Sequence, residues 1–237
     1  MKTLPFLSRC LVLCLLFVAT APVSAADRPA PFTATYRVLQ AGQTIGEATI
    51  TLKAVGADVW EYSNQSRGTA GLAAAMGASS SETTRLRWRG AMPETVSYDY
   101  RMDAAIKSKH RHTDVDWKAQ KVSVDDGKGP MNYPSAPGLV DRNLLPFALG
   151  LALRAGQKDI TLPVAVKREV EQQHYRVTGE EDVSVPAGHF KALRLERVDT
   201  DRAYVAWYVP ARYPVPVRLS QKGDGDLELQ LQGYRQP

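Results

Sequence analysis

The chain has 237 residues and a formal net charge of +5, because 30 lysines and arginines outnumber 25 aspartates and glutamates. Its basic residues are scattered along the sequence, whereas a nucleic-acid-binding protein concentrates them on one face, so we expect no nucleic-acid partner. The two cysteines, Cys10 and Cys14, both lie close to the N-terminus. If that segment is removed on export, disulfides, thiol catalysis and cysteine-bound metals are excluded.

The N-terminus has the pattern of a secretory signal peptide. A charged region is followed by an apolar run over residues 10–19, and Val23-Ser24-Ala25 supplies the small residues that a signal peptidase requires. The run is too short to span a bilayer, and no later segment approaches the ~18 consecutive apolar residues of a membrane helix. We therefore expect a signal peptide over residues 1–25, a secreted protein with no transmembrane segment after cleavage, and a single domain over residues 26–237.

The rest of the chain is dominated by segments in which apolar and polar residues alternate. The segments "ETVSYDYRM", "ITLPVAV" and "DLELQLQGY" place apolar residues at every second position, which is typical of antiparallel strands with one buried and one solvated face. Turn signals such as Asp125-Asp126-Gly127 separate such segments. The pattern predicts a mainly β protein with a single curved antiparallel sheet, a barrel or half-barrel of roughly eleven to twelve strands.

A histidine follows a turn signal between two strand-like segments, in "VPAGHF". The short connection with a glycine predicts a β-hairpin, in which Gly188 adopts a positive φ and Pro186 ends the first strand. No serine or acid near His189 stands at the spacing of a catalytic motif. We therefore interpret His189 as a turn residue and not as a general base.

One segment predicts an apolar helix, over residues 141–154. Asp141 or Asn143 can cap its start, Pro146 falls in its first turn, and Gly156 follows as a stop signal. Its leucines point in nearly every direction, and a helix that is apolar all round is buried. We expect this helix against the concave side of the sheet.

Two interpretations of the helix stay open. It either plugs the core or lines an apolar ligand cavity through residues such as Leu149 and Leu153. The segment "GTAGLAAAMGASSS", residues 68–81, is small and weakly apolar. It is either a short helix or a mobile flap over that cavity, with Met76 towards the ligand, or it is a plain connection between strands.

The best candidate for a metal site is "KHRHTDVDW", in which His110, His112, Asp114 and Asp116 share one face of a strand. Successive residues on one face lie about 6.5–7 Å apart, so four of them cannot bind one ion. No phosphate-binding glycine loop, nucleophile elbow or zinc-protease motif occurs in the sequence. We therefore predict no metal, no cofactor and no catalytic residue.

Aromatic residues occupy both faces of a further predicted strand, in "AYVAWYVPARYPVPVRLS". Trp207 faces one side, and Tyr204 and Tyr208 face the other. Such a strand is covered on both sides in the core, or one of its faces lines a pocket.

The order of the segments resembles one family. "TATYRVLQAGQTIGEATITL", the helix led by Asp141, "VPAGHFKALRLE", "WYVPARYPVPVRL" and "GDLELQLQGY" together resemble the periplasmic proteins of domain-of-unknown-function family 3108. The resemblance covers nearly the whole mature chain and implies a curved antiparallel sheet in the periplasm, with no implied activity. Where that family often has a serine after the aspartate, this chain has Arg142-Asn143-Leu144. In architecture alone, the predicted sheet also resembles half-barrel carriers of lipid acyl chains.

These observations lead to one expected function and two alternatives. The expected function is non-catalytic binding in the periplasm, with an apolar or amphipathic, lipid-like ligand or an envelope partner protein held in the curved sheet. The predicted ligand-binding residues are Met76, Leu149, Leu153 and Trp207. The alternatives are a structural envelope factor without a small ligand and an enzyme that acts on envelope polysaccharide, which would need convergent carboxylates.

Overall fold

The computed structural model describes residues 28–201, 203–222 and 226–237, so the predicted signal peptide over residues 1–25 lies outside the described residues. The described chain contains fifteen strands and two helices. The strands are β1 (Phe32–Gln40), β2 (Gln43–Ala54), β3 (Trp60–Gly68), β4 (Ser79–Arg89), β5 (Met92–Ala104), β6 (Lys107–Asp116), β7 (Lys121–Asp125), β8 (Met131–Pro134), β9 (Val140–Asp141), β10 (Asp159–Ala165), β11 (Val170–Val185), β12 (Gly188–Arg197), β13 (Tyr204–Tyr208), β14 (Arg218–Gln221) and β15 (Leu227–Arg235). The helices are α1 (Gly71–Ala75) and α2 (Leu145–Arg154). Neither of these helices is long and apolar enough to cross a bilayer.

All fifteen strands belong to one curved sheet, in the order β8-β7-β6-β5-β4-β3-β2-β1-β15-β14-β13-β12-β11-β10-β9. Neighbouring strands are antiparallel, apart from the parallel pair of β10 and β9. The prediction of a mainly β protein with one curved antiparallel sheet is confirmed. The strands outnumber the predicted eleven or twelve, because β8, β9 and β14 have only 4, 2 and 4 residues. Strands this short show no alternation in a sequence.

Alternation along the strands decides which face of the sheet meets the core. In β1, the side chains of Phe32, Ala34 and Tyr36 are buried, whereas Thr35 between them is exposed. The inward residues of β1 to β4 and β10 to β15 join α2 in one large apolar core. The outward residues are mostly polar, as expected for a sheet with one solvated face.

Helix α2 fills the concave side of the sheet. Eight of its residues are buried, and the exposed fraction is 0% for Leu149 and 5% for Leu153. The helix lies so close to the segment after β13 that a Cβ on Gly150 would lie 2.1 Å from the carbonyl oxygen of Pro214. The burial of Leu149 and Leu153 favours the core plug over the cavity lining, the two roles that the sequence allows for this helix.

The end of α2 follows the signals in the sequence, but its start does not: the helix begins at Leu145, after the predicted start at Asp141. Pro146 lies in its first turn, and Gly156, with a φ of 85°, follows its last turn. Leu144 precedes the first helical residue and makes no side-chain cap, so neither Asp141 nor Asn143 is the N-cap. Asp141 instead holds the turn before the helix, where its Oδ1 accepts hydrogen bonds from the backbone N–H groups of Asn143 (2.9 Å) and Leu144 (3.0 Å). The carboxylate therefore satisfies backbone donors just before the first helical turn.

The edge strands β8 and β9 do not pair with each other within the described residues, so the sheet is not closed. Two hydrogen bonds link the regions of the two edge strands to other strands of the sheet. The backbone N–H of Thr95 in β5 donates to the carbonyl oxygen of Leu139, just before β9, at 2.9 Å. The hydroxyl of Tyr133 in β8 donates to the carbonyl oxygen of Val166, just after β10, at 2.6 Å. These bonds keep the open sheet in a barrel-like curve.

The predicted hairpin around His189 is confirmed between β11 and β12. Pro186-Ala187 forms the turn, Val185 pairs with Gly188, and Gly188 has a positive φ of 137°. The side chain of His189 is exposed, and its Nδ1 lies 2.7 Å from the Oγ of Ser184. His189 therefore lies on the solvated side of a hairpin strand.

Candidate ligand-binding groove

A groove lies on the concave face of the sheet, between the strands and the start of α2. Its volume is about 410 Å³, within the ~300–1,000 Å³ that is usual for small-molecule sites. Strands β1 to β5, β14 and β15 line it, together with the residues that lead into α2. We refer to this cavity as the groove.

One wall of the groove is apolar. It is formed by neighbouring strands of the sheet, whose inward side chains are Val38, Ile50, Leu219, Leu227 and Leu229. Removing apolar surface from water lowers the free energy, so this wall favours contact with a hydrocarbon chain over contact with solvent.

The other side of the groove, from β3 and β4, is polar. Asn64 pairs directly with Glu82, and Ser66 pairs with Ser80 in the same antiparallel ladder. The hydroxyl oxygens of Ser66 and Ser80 lie 2.7 Å apart, so these two groups satisfy each other. Burying a polar side chain on a concave face costs free energy unless it has a hydrogen-bond partner. The polar side chains of β3 and β4 that lack such a partner therefore bear on what the groove can bind.

Two polar atoms in this lining are buried without a partner in the described part of the chain: the hydroxyl of Tyr62 and the Oδ1 of Asn64. The exposed fraction of Tyr62 is 1%. Burial raises the pKa of Tyr62 well above its ordinary value, so the phenol keeps its proton. Tyr36 lines the same groove, but its hydroxyl donates to the carbonyl oxygen of Pro216 at 2.8 Å. Since most buried polar atoms are paired, these two unpartnered atoms distinguish the residues that line the groove from an ordinary core.

A charged pair lies where the groove meets the start of α2. The Nε of Arg142 donates to Glu82 Oε2 at 2.9 Å and to the hydroxyl of Tyr98 at 2.7 Å. The Tyr98 hydroxyl donates in turn to the same carboxylate oxygen at 2.5 Å. The guanidinium also lies over the ring of Tyr100, 4.3 Å from its centroid. Among the described residues, these hydrogen bonds use only Nε of Arg142 and Oε2 of Glu82, which leaves both Nη atoms and Oε1 to a ligand.

Asp141 lies behind this pair and supports the wall. Its exposed fraction is 1%, and it accepts hydrogen bonds from the hydroxyls of Thr95 (2.8 Å) and Thr84 (3.0 Å) besides those from the backbone of Asn143 and Leu144. Burial raises the pKa of Asp141 to about 6, although the bonds from Thr95, Leu144 and Thr84 favour its charged form. Because both carboxylate oxygens are bonded within the protein, Asp141 is a structural group.

The groove continues towards α1 as a smaller cavity of about 200 Å³ with mostly apolar walls. The two cavities share Val38, Met102 and Leu227, and also Ser66 and Ser80. Ala73 of α1 and Ala78 line the far side of the smaller cavity. The segment 68–81 therefore borders the site, and it contains the short helix α1, which is one of the alternatives that the sequence allows.

A larger hollow, of about 540 Å³, lies on the opposite, convex face of β2 to β5. Its charged side chains are exposed: Arg67 and Glu47 form an ion pair of 3.3 Å with exposed fractions of 74% and 51%. None of the buried unpartnered atoms in the described chain belongs to its lining. We therefore take the concave groove as the candidate site, despite its smaller volume.

The four predicted ligand-binding residues lie in different parts of the protein. Leu149 and Leu153 are buried in the core, and Trp207 is buried in β13, where its indole N–H donates to Glu181 at 2.7 Å. Met76 is half-buried after α1. None of the four belongs to the lining of the groove or of the cavity beside it. Both leucines belong to the main apolar core of the protein.

The two histidines of the candidate metal site, for which the sequence predicts no bound metal, lie on β6. His112 is held between two carboxylates, with Nδ1 2.7 Å from Asp99 and Nε2 2.8 Å from Asp114. The hydrogen bond with Asp99 raises the pKa of His112 most strongly. His110 is exposed on the same strand. In residues 28–201, 203–222 and 226–237, no three His, Cys, Asp or Glu side chains are grouped so as to hold a metal ion.

Sequence reasoning did not select the polar residues of the groove. Asn64 and Glu82 stand at inward-facing positions of their strands, where a half-buried strand normally has apolar residues. Polar residues at such positions are the signal in the sequence that could have identified them. Arg142 carries no such local signal, because its partner Glu82 is 60 positions away in the chain.

Comparison with known proteins shows the family and the fold. The family model described as "Protein of unknown function (DUF3108)" matches residues 32–232, so the chain belongs to that family, as the order of its segments predicts. A solved β-barrel-like protein of domain of unknown function DUF1849 from Brucella abortus is similar over 89% of this chain and 99% of its own, with 10% identity and a TM-score of 0.53. A putative exported protein with a YmcC-like fold from Bacteroides fragilis aligns over 88% of this chain and 97% of its own, with 12% identity and a TM-score of 0.32. The first of these shows a shared barrel-like fold. No curated protein matches the chain.

Proposed function

We propose that this member of the DUF3108 family is a non-catalytic binding protein of the cell envelope that holds an amphipathic ligand in the concave groove. One observation carries the proposal: two residues that line the groove beside an apolar wall, Tyr62 and Asn64, each have a buried polar atom without a partner in the described chain. The signal-peptide pattern of residues 1–25 supports export to the periplasm.

The lining calls for a ligand with two chemically different parts. A wholly apolar ligand would cover the wall but leave the buried polar atoms without hydrogen bonds. A wholly polar ligand would satisfy those atoms but gain nothing from the apolar wall. An amphipathic molecule, with its chain along Leu227 and Leu229 and its polar group near Tyr62, satisfies both sides.

The charges near the groove favour binding over catalysis. A carboxylate acts as a general base only if it is free to accept a proton from a substrate. Asp141 is saturated by hydrogen bonds within the protein, and Glu82 is paired with Arg142. Two converging, free carboxylates, which hydrolysis of a polysaccharide would need, are therefore not part of this lining.

A blocking substitution with a matched control tests the proposal. Val38 lines both cavities, so Val38→Trp should fill the space where they join. Thr49 is exposed on the convex face of the neighbouring strand β2, so Thr49→Trp adds the same side chain outside the groove. The assay is a fluorescence titration of the purified mature protein with the neutral apolar probe 1-N-phenylnaphthylamine, alongside thermal melting of each variant.

We expect wild type and Thr49→Trp to bind the probe with equal affinity, and Val38→Trp to bind it at least about tenfold more weakly, a change of ~1.4 kcal/mol. All three proteins should melt cooperatively. Wild-type protein that binds no apolar probe, and that carries no bound lipid in native mass spectrometry, would refute the proposal and leave the structural envelope factor as the better hypothesis. Equal binding by Val38→Trp would place the ligand outside the groove.

A further inference from the structure

The groove carries no net charge, which restricts the polar part of its ligand. Glu82 and Arg142 bear the ionic charges of its lining, and they form an ion pair of 2.9 Å. The adjoining cavity adds Arg67, which is paired with Glu47 on the convex side. A carboxylate or phosphate in this space would give up its hydration without meeting an unpaired cation, which is unfavourable.

The unused atoms of the lining include adjacent acceptors. Asn64 and Glu82 are direct partners in the β3–β4 ladder, so their side chains start about 4.5–5.5 Å apart. Asn64 Oδ1 has no partner, and the described hydrogen bonds of Glu82 all end on Oε2, which leaves Oε1 free. A carboxylate oxygen accepts hydrogen bonds and cannot donate them. The ligand group that faces this pair must therefore donate.

Beside these acceptors lie groups that can donate to the same ligand. The Tyr62 hydroxyl is two positions before Asn64 on β3 and keeps its proton, and Arg142 presents its Nη edge. A ligand group that meets both sets must donate and accept at neighbouring atoms. Hydroxyl groups on adjacent carbons do this, because each hydroxyl is a donor and an acceptor at once.

Building on the proposed function, we infer that the groove selects amphiphiles with a neutral head group that bears several hydroxyls, such as a glycerol or sugar head, over fatty acids and phosphate-bearing lipids. The donor–acceptor row of Tyr62, Asn64 and Glu82 binds the hydroxyls, and the apolar wall takes the chain. The charge of Arg142 is balanced by Glu82, so its Nη atoms can donate hydrogen bonds to a ligand but an anion would meet no net positive charge in the groove.

The test compares head groups on one chain length. Dodecanoylglycerol, dodecyl glucoside, dodecanoate and dodecyl phosphate are each used, below their micelle concentrations, to displace 1-N-phenylnaphthylamine from the wild-type mature protein. The two neutral compounds should displace the probe at concentrations at least about tenfold lower than the two anions, the difference that corresponds to ~1.4 kcal/mol. The glycerol and glucoside compounds then show which of the two polyol heads fits better.

A charge variant tests the reason for the preference. Glu82→Gln removes the partner of Arg142 and leaves one unpaired cation in the groove, so the affinity for dodecanoate and dodecyl phosphate should rise about tenfold relative to the neutral compounds. Glu180→Gln is the control, because it also removes a carboxylate from an ion pair, with Lys191 at 2.6 Å, but on the exposed β11–β12 hairpin. It should leave the order of affinities unchanged.

The outcomes separate this inference from the proposed function. If wild type binds none of the compounds and no probe, the proposed function fails. If wild type binds all four compounds equally, or binds the anions more tightly, the groove binds amphiphiles but the inferred preference is wrong. If the neutral compounds win and Glu82→Gln does not shift the order towards the anions, the preference does not come from the charge balance and the inferred recognition is refuted.

Discussion

Two tyrosines in one groove allow a direct test of the unpartnered phenol. Tyr62 and Tyr36 are each 1% exposed, and both line the groove. The Tyr36 hydroxyl donates to the carbonyl oxygen of Pro216, whereas the Tyr62 hydroxyl has no partner among the described residues. Substitution by phenylalanine removes one oxygen at each site and keeps the ring. Any difference between the two variants therefore reports the hydrogen bond.

The expected magnitudes follow from these partners. Tyr36→Phe leaves the buried carbonyl of Pro216 without its donor, so the free energy of unfolding should fall by ~1–3 kcal/mol. Tyr62→Phe removes an atom whose burial is already uncompensated, so the same quantity should stay within about 0.5 kcal/mol of wild type or increase. Urea unfolding at pH 7, followed by tryptophan fluorescence and analysed with a common slope for the three proteins, measures both changes.

Ligand-free protein is essential for this comparison, because a bound amphiphile would stabilise wild type more than the variant. Refolding from urea in detergent-free buffer removes such a ligand. If Tyr62→Phe then loses as much stability as Tyr36→Phe, the phenol has a partner within the protein. The argument for a polar ligand group at this position would be wrong in that case.

The remaining predictions concern the core, the hairpin and the pH dependence of stability. Leu149→Ala should lower the free energy of unfolding by ~2–5 kcal/mol, and a loss below ~1 kcal/mol in urea unfolding would argue for open space beside α2. Gly150→Ala should prevent cooperative folding or lower the melting temperature strongly, because the added Cβ would lie 2.1 Å from the Pro214 oxygen; a normal melting curve would contradict this packing. His189→Ala should change stability by less than ~1 kcal/mol, and a folded variant without function in cells would overturn the structural role of this residue. Burial raises the pKa of Asp141 from 3.8 to about 6, so the folded state holds this proton more tightly and stability should fall as the pH rises from about 4 to about 6. Asp141→Asn should remove this pH-dependent part of the free energy of unfolding. The difference in that free energy between variant and wild type should therefore change by ~2–3 kcal/mol between pH 4 and pH 7.5. A difference that does not change with pH would refute a buried carboxyl group that titrates in this range.

Local sequence patterns determine most of the secondary structure of this protein. Alternation identifies the strands because successive side chains of a strand point to opposite faces, and only one face of this sheet is buried. Gly188 and Pro186 define the hairpin through their own backbone preferences. The ends of α2 are likewise set by residues next to them, such as Pro146 and Gly156.

The position of the groove depends on contacts that no local pattern contains. The position of a residue in a strand predicts only whether its side chain points to the solvated face or to the concave face of the sheet. Whether it then meets packed protein, as Leu149 does, or an open cavity, as Leu229 does, depends on the curvature of the sheet and on where α2 lies within it. The same is true of the polar row, since the strand register brings Asn64 beside Glu82, and the chain must return 60 positions later to bring Arg142 to Glu82. Register and curvature are properties of the whole sheet, and for this reason the tertiary structure alone decides which side chains can face a ligand.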